Sequence, residues 1–117
     1  MTKEQLISDI TAVLADKKCQ NILSIDVSGK TDVTEAFILC SAKNPSQAKA
    51  AYEEVCAVME AKGEYTYGVD GLREGRWIVM DYDKVIVHIF HTGLRDLYRF
   101  EELWGDGDGG NITRFDL

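Results

Sequence analysis

Two apolar segments, joined by an acidic turn and followed by an aromatic-rich segment, constrain the fold of this chain most strongly. The apolar segments cover residues 77–80 and 85–90, and two aspartates lie in the turn between them. Short apolar runs separated by a few polar residues predict a β-hairpin within a sheet. A helix carrying large aromatic residues is predicted at about 93–104. This stretch has no recognisable catalytic motif, and it therefore favours binding over catalysis.

Two further helices are predicted from their capping signals. Thr2 opens a capping-box pattern, and apolar residues at helical spacing follow it, which predicts a helix from residue 3 to about 17. Asn44 followed by Pro45 is typical of a helix start, because Asn caps exposed amides and Pro fits the first turn. Gly63 is placed to end this second helix.

The remaining segments complete an α/β domain. Three more strands are predicted at residues 23–27, 33–41 and 65–69. The order α-β-β-α-β-β-β-α predicts a single domain, with three helices packed on a mixed, mainly five-stranded sheet. The second helix is long enough to connect neighbouring parallel strands by a right-handed crossover. Because three helices can scarcely cover both faces of such a sheet, part of one face is predicted to be available to a partner.

The domain is predicted to span residues 1–104, and the glycine-rich residues 105–117 are predicted to be a flexible acidic tail. A chain of 117 residues fits one domain of ordinary apolar content. It has no membrane-length apolar run and no signal-peptide core at its charged N-terminus, which predicts a cytoplasmic protein without membrane association.

The net charge of −7 argues against nonspecific wrapping of nucleic acid, because phosphate binding depends on Lys and Arg. Acidic charge instead favours a basic protein partner. Cys19, Cys40 and Cys56 match neither a disulfide framework nor closely spaced zinc ligands, and they are predicted to be buried reduced thiols.

Two ligand-binding motifs are incomplete, and no cofactor is predicted. Residues 29–31 resemble the end of a phosphate-binding loop, but Ser24 stands where the first glycine belongs. Asp106 and Asp108 begin like a calcium loop, yet Leu117 occupies the position of the bidentate glutamate.

Asp81 and Asp83 leave a catalytic alternative open. Two such carboxylates can hold magnesium in nucleotidyl transfer, which usually needs a third from a nearby strand, whereas a solvated hairpin turn is the plainer interpretation. His88 and His91 are three residues apart in a strand, which directs them to opposite faces and predicts no shared metal. The chain is therefore not predicted to be an enzyme.

A series of short motifs, each weak by itself, is specific in its order and spacing. The motifs are Asp26-Val27-x-Gly29-Lys30-Thr31, Gln47, Val69-Asp70-Gly71, Trp77-Ile78-Val79-x-Asp81, Val85-Ile86-Val87-His88-Ile89-Phe90 and Arg95-x-x-Tyr98-x-x-Glu101-x-Leu103-Trp104. Through them, residues 3–104 resemble the ribosomal silencing factors, also called the Iojap-like family. The chain departs from the family pattern at Ser46, Asp70 and Lys84, where the family usually has Arg, Glu and Asp.

The resemblance implies a fold similar to the nucleotidyltransferase fold, without the Gly-Ser opening and carboxylate strand of the enzymes. It implies a protein that binds the large ribosomal subunit through protein fourteen of that subunit. By occupying the surface that meets the small subunit, such a protein blocks subunit joining and represses translation under nutrient limitation. The resemblance also implies an alternative role in large-subunit assembly.

We predict that six residues form the contact patch for this partner. Aromatic side chains would be desolvated anchors, and carboxylates would meet Lys or Arg of the partner. The six residues are Asp70, Trp77, Asp81, Tyr82, His88 and Tyr98. Core packing is the competing interpretation for each aromatic residue. A homodimer formed through the same surface when the protein is free is a further alternative, and no direct sequence-specific nucleic-acid binding is predicted.

Overall fold

The computed structural model describes residues 1–91 and 93–115, without the side chain of Leu94. Within these residues the elements follow in the order α1 (Lys3–Asp16), β1 (Gln20–Asp26), β2 (Ala36–Ser41), α2 (Pro45–Ala61), β3 (Gly68–Asp70), β4 (Trp77–Asp81), β5 (Val85–Phe90), α3 (Leu94–Trp104) and β6 (Ile112–Arg114). The strands form one mixed sheet in the order β3-β4-β5-β2-β1-β6. The predicted α/β class and all three helices are confirmed.

The predicted capping residues begin the first two helices. Thr2 Oγ1 accepts a hydrogen bond from the Gln5 backbone N at 3.2 Å, and Gln5 Oε1 accepts one from the Thr2 backbone N at 2.9 Å. Asn44 Oδ1 accepts from the Gln47 backbone N at 2.8 Å. Ser46, where the family usually has Arg, is exposed in the first turn of α2, so its departure leaves this cap intact.

The connection made by α2 differs from the predicted crossover between neighbouring strands. Among the described strands, only β2 and β5 pair in parallel, and α2 leads from β2 to β3 at the far edge of the sheet. The strands β4 and β5 lie between them. The reason lies in burial. All six residues of β5 are buried, which requires a central position, whereas the three-residue β3 is mostly exposed and suits an edge.

The C-terminal segment contains a packed strand, which corrects the predicted five-stranded sheet. Ile112–Arg114 pair with β1, with Ile112 opposite Ile25. Asn111 holds the strand in place, because its Nδ2 donates to the backbone carbonyl of Asp26 at 2.9 Å and to that of Trp104 at 3.1 Å. The prediction that residues 105–117 hold no packed element is therefore wrong for β6. The division into a domain and a tail at residue 104 stays a prediction.

The sheet has two unequally covered faces. Helices α1 and α2 pack on one face, over a large apolar cluster that includes Ile38, Val87 and Met80. Helix α3 packs mainly on β2 and β5 of the other face, where Leu97 is fully buried. The part of this second face formed by β3 and β4 lies beside α3, which agrees with the predicted uncovered surface. No helix among the described residues is long and apolar enough to span a membrane.

The cysteines lie as predicted, apart from partial exposure of one. All three are free thiols, with Cys19 and Cys40 buried and Cys56 half-buried. Cys19 and Cys40 both belong to the apolar cluster beneath α1 and α2. They therefore contribute to core packing.

Candidate docking surface

Strand β4 presents alternate side chains to the two faces of the sheet. Ile78 and Met80 are fully buried beneath α2, whereas Trp77, Val79 and Asp81 point to the face that α3 only partly covers. Trp77 is 41% exposed, and Val79 and Asp81 are half-buried. Large apolar side chains that stay accessible are typical of protein-binding surfaces.

Register brings an edge residue of β3 onto the same surface. Asp70 lies opposite Val79 on β4, and Val79 in turn lies opposite His88 on β5. Because directly paired residues share a face, Asp70 lies on the same face as Trp77 and Asp81. We call Asp70, Trp77, Val79 and Asp81 the β4 surface.

His88 lies beneath the β4 surface, with only 6% of its area exposed. Its Nδ1 accepts a hydrogen bond from Trp77 Nε1 at 3.0 Å. Its ring packs against Phe100, with ring centroids 4.4 Å apart, and edge-on to Phe37, with centroids 5.3 Å apart. The prediction that His88 contacts a partner directly is therefore corrected. A side chain buried in this way cannot reach a docked protein. His88 instead supports Trp77 from below, through the hydrogen bond to the indole.

The burial of His88 also determines its protonation. Loss of solvation lowers the pKa of His88 from 6.5 to about 4, so the ring is neutral near pH 7. Since Nδ1 accepts the bond from Trp77, the ring proton lies on Nε2. Nε2 is buried and has no hydrogen-bond partner among the described residues. A neutral ring is therefore required for the hydrogen bond that holds the indole.

Tyr82 does not join the β4 surface. It is 4% exposed and belongs to the apolar cluster beneath α1 and α2, on the opposite face from Trp77. Burial, above all, raises the pKa of its hydroxyl, which is directed towards Cys56 of α2. Its apolar ring fills the core next to the hairpin turn, which is why a turn residue is buried. The prediction of a partner contact is corrected for Tyr82.

Tyr98 is 53% exposed but lies on the wrong side of α3 to join Trp77. It lines a cleft with Glu101, Ile112 and Arg114, on the flank of α3 that faces β6. Arg114 and Glu101 form an ion pair across this cleft. The structure therefore separates Tyr98 from the other predicted contact residues by the width of a helix.

Leu103 belongs to the motif at residues 95–104 but is not among the predicted contact residues, and it is 74% exposed. Phe100 contacts the Trp77 ring edge-on, with centroids 6.4 Å apart, so its flank of α3 faces β4. Leu103 follows Phe100 by three residues and lies on the same flank. An exposed leucine at helical spacing from a half-buried phenylalanine was the available signal, and it adds an apolar side chain on the flank of α3 that faces β4.

Asp81 and Asp83, the carboxylates of the hairpin, form no ion pair with any residue that the structure describes. Asp81 Oδ1 accepts a hydrogen bond from the Asp83 backbone N at 2.7 Å, so this pair shapes the turn. Lys84, the departure from the family pattern, is directed elsewhere, because its Nζ donates to the carbonyl of Met1 at 3.1 Å. The β4 surface therefore presents acidic groups around an indole.

The described residues contain no cluster of three or more His, Cys, Asp or Glu that could hold a metal. Asp83 has a φ of 68°, which Asp tolerates in turns, so the structural role of the pair explains both residues. The structure thus offers no specific support for the nucleotidyl-transfer alternative.

Comparisons with known proteins point to one family. The family model for ribosomal silencing factor during starvation matches residues 1–116. The chain is similar to the ribosomal silencing factor of Bacillus subtilis, with 30% identity over 106 residues that cover 91% of this chain and 90% of the relative. It is also similar to that of Haemophilus influenzae, with 30% identity over 99 residues that cover 85% and 97% of the two chains.

Solved structures agree with this likeness. A crystal structure of a Chromobacterium violaceum protein superposes with a TM-score of 0.83 at 27% identity, covering 89% of this chain and 87% of the other. A Bacillus halodurans structure superposes with a TM-score of 0.79 at 24% identity, covering 97% and 99%, which shows a shared fold.

Proposed function

Because the chain belongs to the ribosomal silencing factor family, we propose that it binds the large ribosomal subunit through protein fourteen and thereby blocks joining of the small subunit. Bound there, it represses translation under nutrient limitation by occupying a surface. This function requires neither a cofactor nor a catalytic step, and it places the protein in the cytoplasm, where ribosomes act.

The observation that carries the proposal is the exposed Trp77 indole, held by His88 and flanked by carboxylates on an uncovered part of the sheet. Tryptophan is enriched among the residues that dominate binding energy at protein interfaces. Asp70 and Asp81 lie on the same face and complement a basic ribosomal protein. We propose that Asp70, Trp77 and Asp81 contact the partner, that His88 acts through Trp77, and that Leu103 extends the apolar centre.

Sedimentation of large subunits with added protein tests this function. Wild-type protein is expected to co-migrate with large subunits and to reduce the amount of joined ribosomes. The Trp77→Ala variant is expected to bind at least tenfold more weakly, because interface tryptophans typically contribute 2 kcal/mol or more, roughly 30-fold in affinity. Thermal melting measured beside binding separates a contact role for Trp77 from a loss of stability.

A charge-matched control tests the carboxylates. Asp70→Asn combined with Asp81→Asn is expected to slow association and weaken binding. Asp32→Asn combined with Glu53→Gln removes the same charge from exposed sites outside both the β4 surface and the segments next to it. Equal binding by the two double variants would refute the proposed contacts. Migration of the wild type at the top of the gradient would refute the function.

Two alternatives share the β4 surface. A role in large-subunit assembly would give immature large-subunit particles when the protein is depleted, without an effect on joining of mature subunits. A homodimer formed through Trp77 would dissociate on dilution in light scattering, and Trp77→Ala would abolish it.

Nucleotidyl transfer is tested by calorimetry with nucleotide and magnesium, where binding must raise the melting temperature.

A further inference from the structure

Cationic side chains gather at one end of the sheet, although the whole protein is acidic. The last paired row at this end contains Gln20, Ser41, Phe90 and Trp77. The segments that enter or leave the sheet next to this row carry Lys18, Lys43, Lys49, Arg73, Arg76 and Arg95. We call these six residues the basic end.

Hydrogen bonds hold these segments together. Gln47 Nε2 donates to the carbonyl of Lys18 at 3.1 Å, and Gln47 Oε1 accepts from the backbone N of Lys43 at 2.7 Å. The backbone N of His91 donates to the carbonyl of Arg76 at 2.7 Å. These hydrogen bonds join four stretches of chain in two pairs, and the backbone N of Ala42 links the pairs by donating to the carbonyl of Phe90 at 2.7 Å, so all four lie at one end of the sheet.

Contacts of Gly75 bring the loop before β4 against the start of α2. A Cβ atom built on Gly75 would lie 3.0 Å from Cε of Lys49 and 3.0 Å from Cβ of Pro45. This close approach places Lys49 beside the loop that carries Arg73 and Arg76. Positive charge from the loop and from the helix therefore adds at the same place.

The cations of the basic end are available to a partner. Within the part of the chain that the structure describes, none of the six forms an ion pair. By contrast, Lys3, Lys30 and Lys62 elsewhere each pair with an aspartate, at 3.1, 2.7 and 3.0 Å. Five of the six are exposed, and Lys49 is half-buried. The same segments also carry the carboxylates of Asp16, Glu74 and Asp96, and Asp70 ends β3 next to them.

The acidic charge lies mainly at the other end of the strands. The residues there include Asp26, Asp32, Glu35, Asp81, Asp83 and Asp106. Strand β2, with six residues, separates the two ends by roughly 20 Å at about 3.3 Å per residue. This distance is about two Debye lengths at 0.1 M salt. The acidic residues at the other end therefore lower the electrostatic potential at the basic end only slightly. The net charge of −7 therefore does not describe what a partner meets at the basic end.

We infer that the basic end binds the phosphate backbone of ribosomal RNA when the protein is on the large subunit, and this inference rests on the proposed function. Three of the six cations are lysines, a residue type depleted at protein–protein interfaces, and both Lys and Arg neutralise phosphate charge when a protein binds nucleic acid. Among the exposed large apolar side chains that the structure describes, only Trp77 adjoins the basic end, so those residues offer a protein partner few anchors there. The contact is independent of the RNA sequence, because it involves the phosphate groups and not the base edges.

A pair of charge-matched double variants tests the inference. Lys18→Gln with Lys43→Gln removes two charges from the basic end, and Lys3→Gln with Lys62→Gln removes two from the opposite side of the molecule. Affinity for large subunits is measured between 50 and 200 mM salt. Between 50 and 200 mM salt, the fold loss of affinity is expected to be about tenfold smaller for the Lys18 and Lys43 variant than for the wild type, because the variant makes two fewer phosphate contacts. The control pair is expected to keep the wild-type slope.

Hydroxyl-radical footprinting of ribosomal RNA in the same complexes identifies the partner. Protection by the wild type that disappears with the Lys18 and Lys43 variant supports the inference. An altered salt slope without any RNA protection indicates an acidic protein partner and overturns it, as does an unchanged slope. If wild-type protein fails to bind large subunits, the proposed function fails first, and the basic-end inference falls with it.

Discussion

Trp77 Nε1 donates a hydrogen bond to His88 Nδ1 across the neighbouring strands β4 and β5, with 3.0 Å between the two nitrogens. The two rings lie 6.0 Å apart at their centroids, and Phe90 packs against the same indole at 4.9 Å. A side chain that is 41% exposed is therefore held in one orientation by a buried partner. Preorganisation of this kind reduces the entropy lost on binding.

Replacing His88 by Phe is expected to weaken ribosome binding while changing stability little. The phenylalanine ring keeps the packing but cannot accept the indole proton, and it also removes the unpaired Nε2. We expect the free energy of unfolding to change by less than about 1 kcal/mol, because the indole N–H that loses its acceptor belongs to a side chain that is 41% exposed and can bond to water instead. In a Trp104→Phe background, fluorescence anisotropy should report faster motion of Trp77. Unchanged anisotropy together with unchanged binding would contradict a positioning role.

The stability of the protein is expected to fall at acidic pH because of His88. Burial lowers its pKa from 6.5 to about 4, so the unfolded chain binds more protons between these values. The contribution of His88 is therefore fully present above pH 6.5 and is lost as the pH falls towards 4. It amounts to about 3 kcal/mol at about 1.4 kcal/mol per pKa unit. Denaturant titrations of the wild type and His88→Phe should differ in pH slope, and parallel slopes would show that another group is responsible.

Gly71→Ala is expected to disrupt the β4 surface from the turn that precedes it. Gly71 has a φ of 76°, and a Cβ atom there would lie 1.9 Å from the carbonyl oxygen of Trp77. Backbone strain alone costs about 1–2 kcal/mol, and the overlap adds to it by displacing β4. Gly63→Ala is the matched control, because Gly63 has a φ of 83° with nothing within 4 Å. Melting curves should show a clearly larger loss for Gly71→Ala.

Asn111→Ala is expected to release β6 from the edge of the sheet. The substitution removes the Nδ2 donor from the carbonyls of Asp26 and Trp104, of which Trp104 keeps Lys30 Nζ at 3.1 Å, and it costs about 1–3 kcal/mol. Hydrogen exchange should become faster at Ile112–Arg114 while α1 stays protected. Thr113→Ala, at an exposed position of the same strand, is the control. Similar exchange in both variants would mean that Asn111 does not hold the strand.

Local signals were sufficient to predict most of the elements. The caps at Thr2 and Asn44 and the apolar hairpin strands depend on neighbours within a few residues, and these predictions are confirmed. The sixth strand was missed because Ile112–Arg114 follow a glycine-rich run and gain their stability from Asn111, whose partners at Asp26 and Trp104 are brought together only by the fold. The edge position of β3 likewise depends on which strands are buried on both faces.

The residue motifs indicated the family to which the chain belongs, and the alternation of a β-strand is enough to put Trp77 and Asp81 on one face. The assignment of each aromatic residue to core or surface was decided only by tertiary structure. Tyr82 and Trp77 look alike as aromatic residues near a hairpin, yet α2 covers one and α3 stops short of the other. Burial depends on what packs from elsewhere in the chain. For the same reason the net charge of −7 concealed a basic end, because only the folded sheet separates the two signs of charge in space.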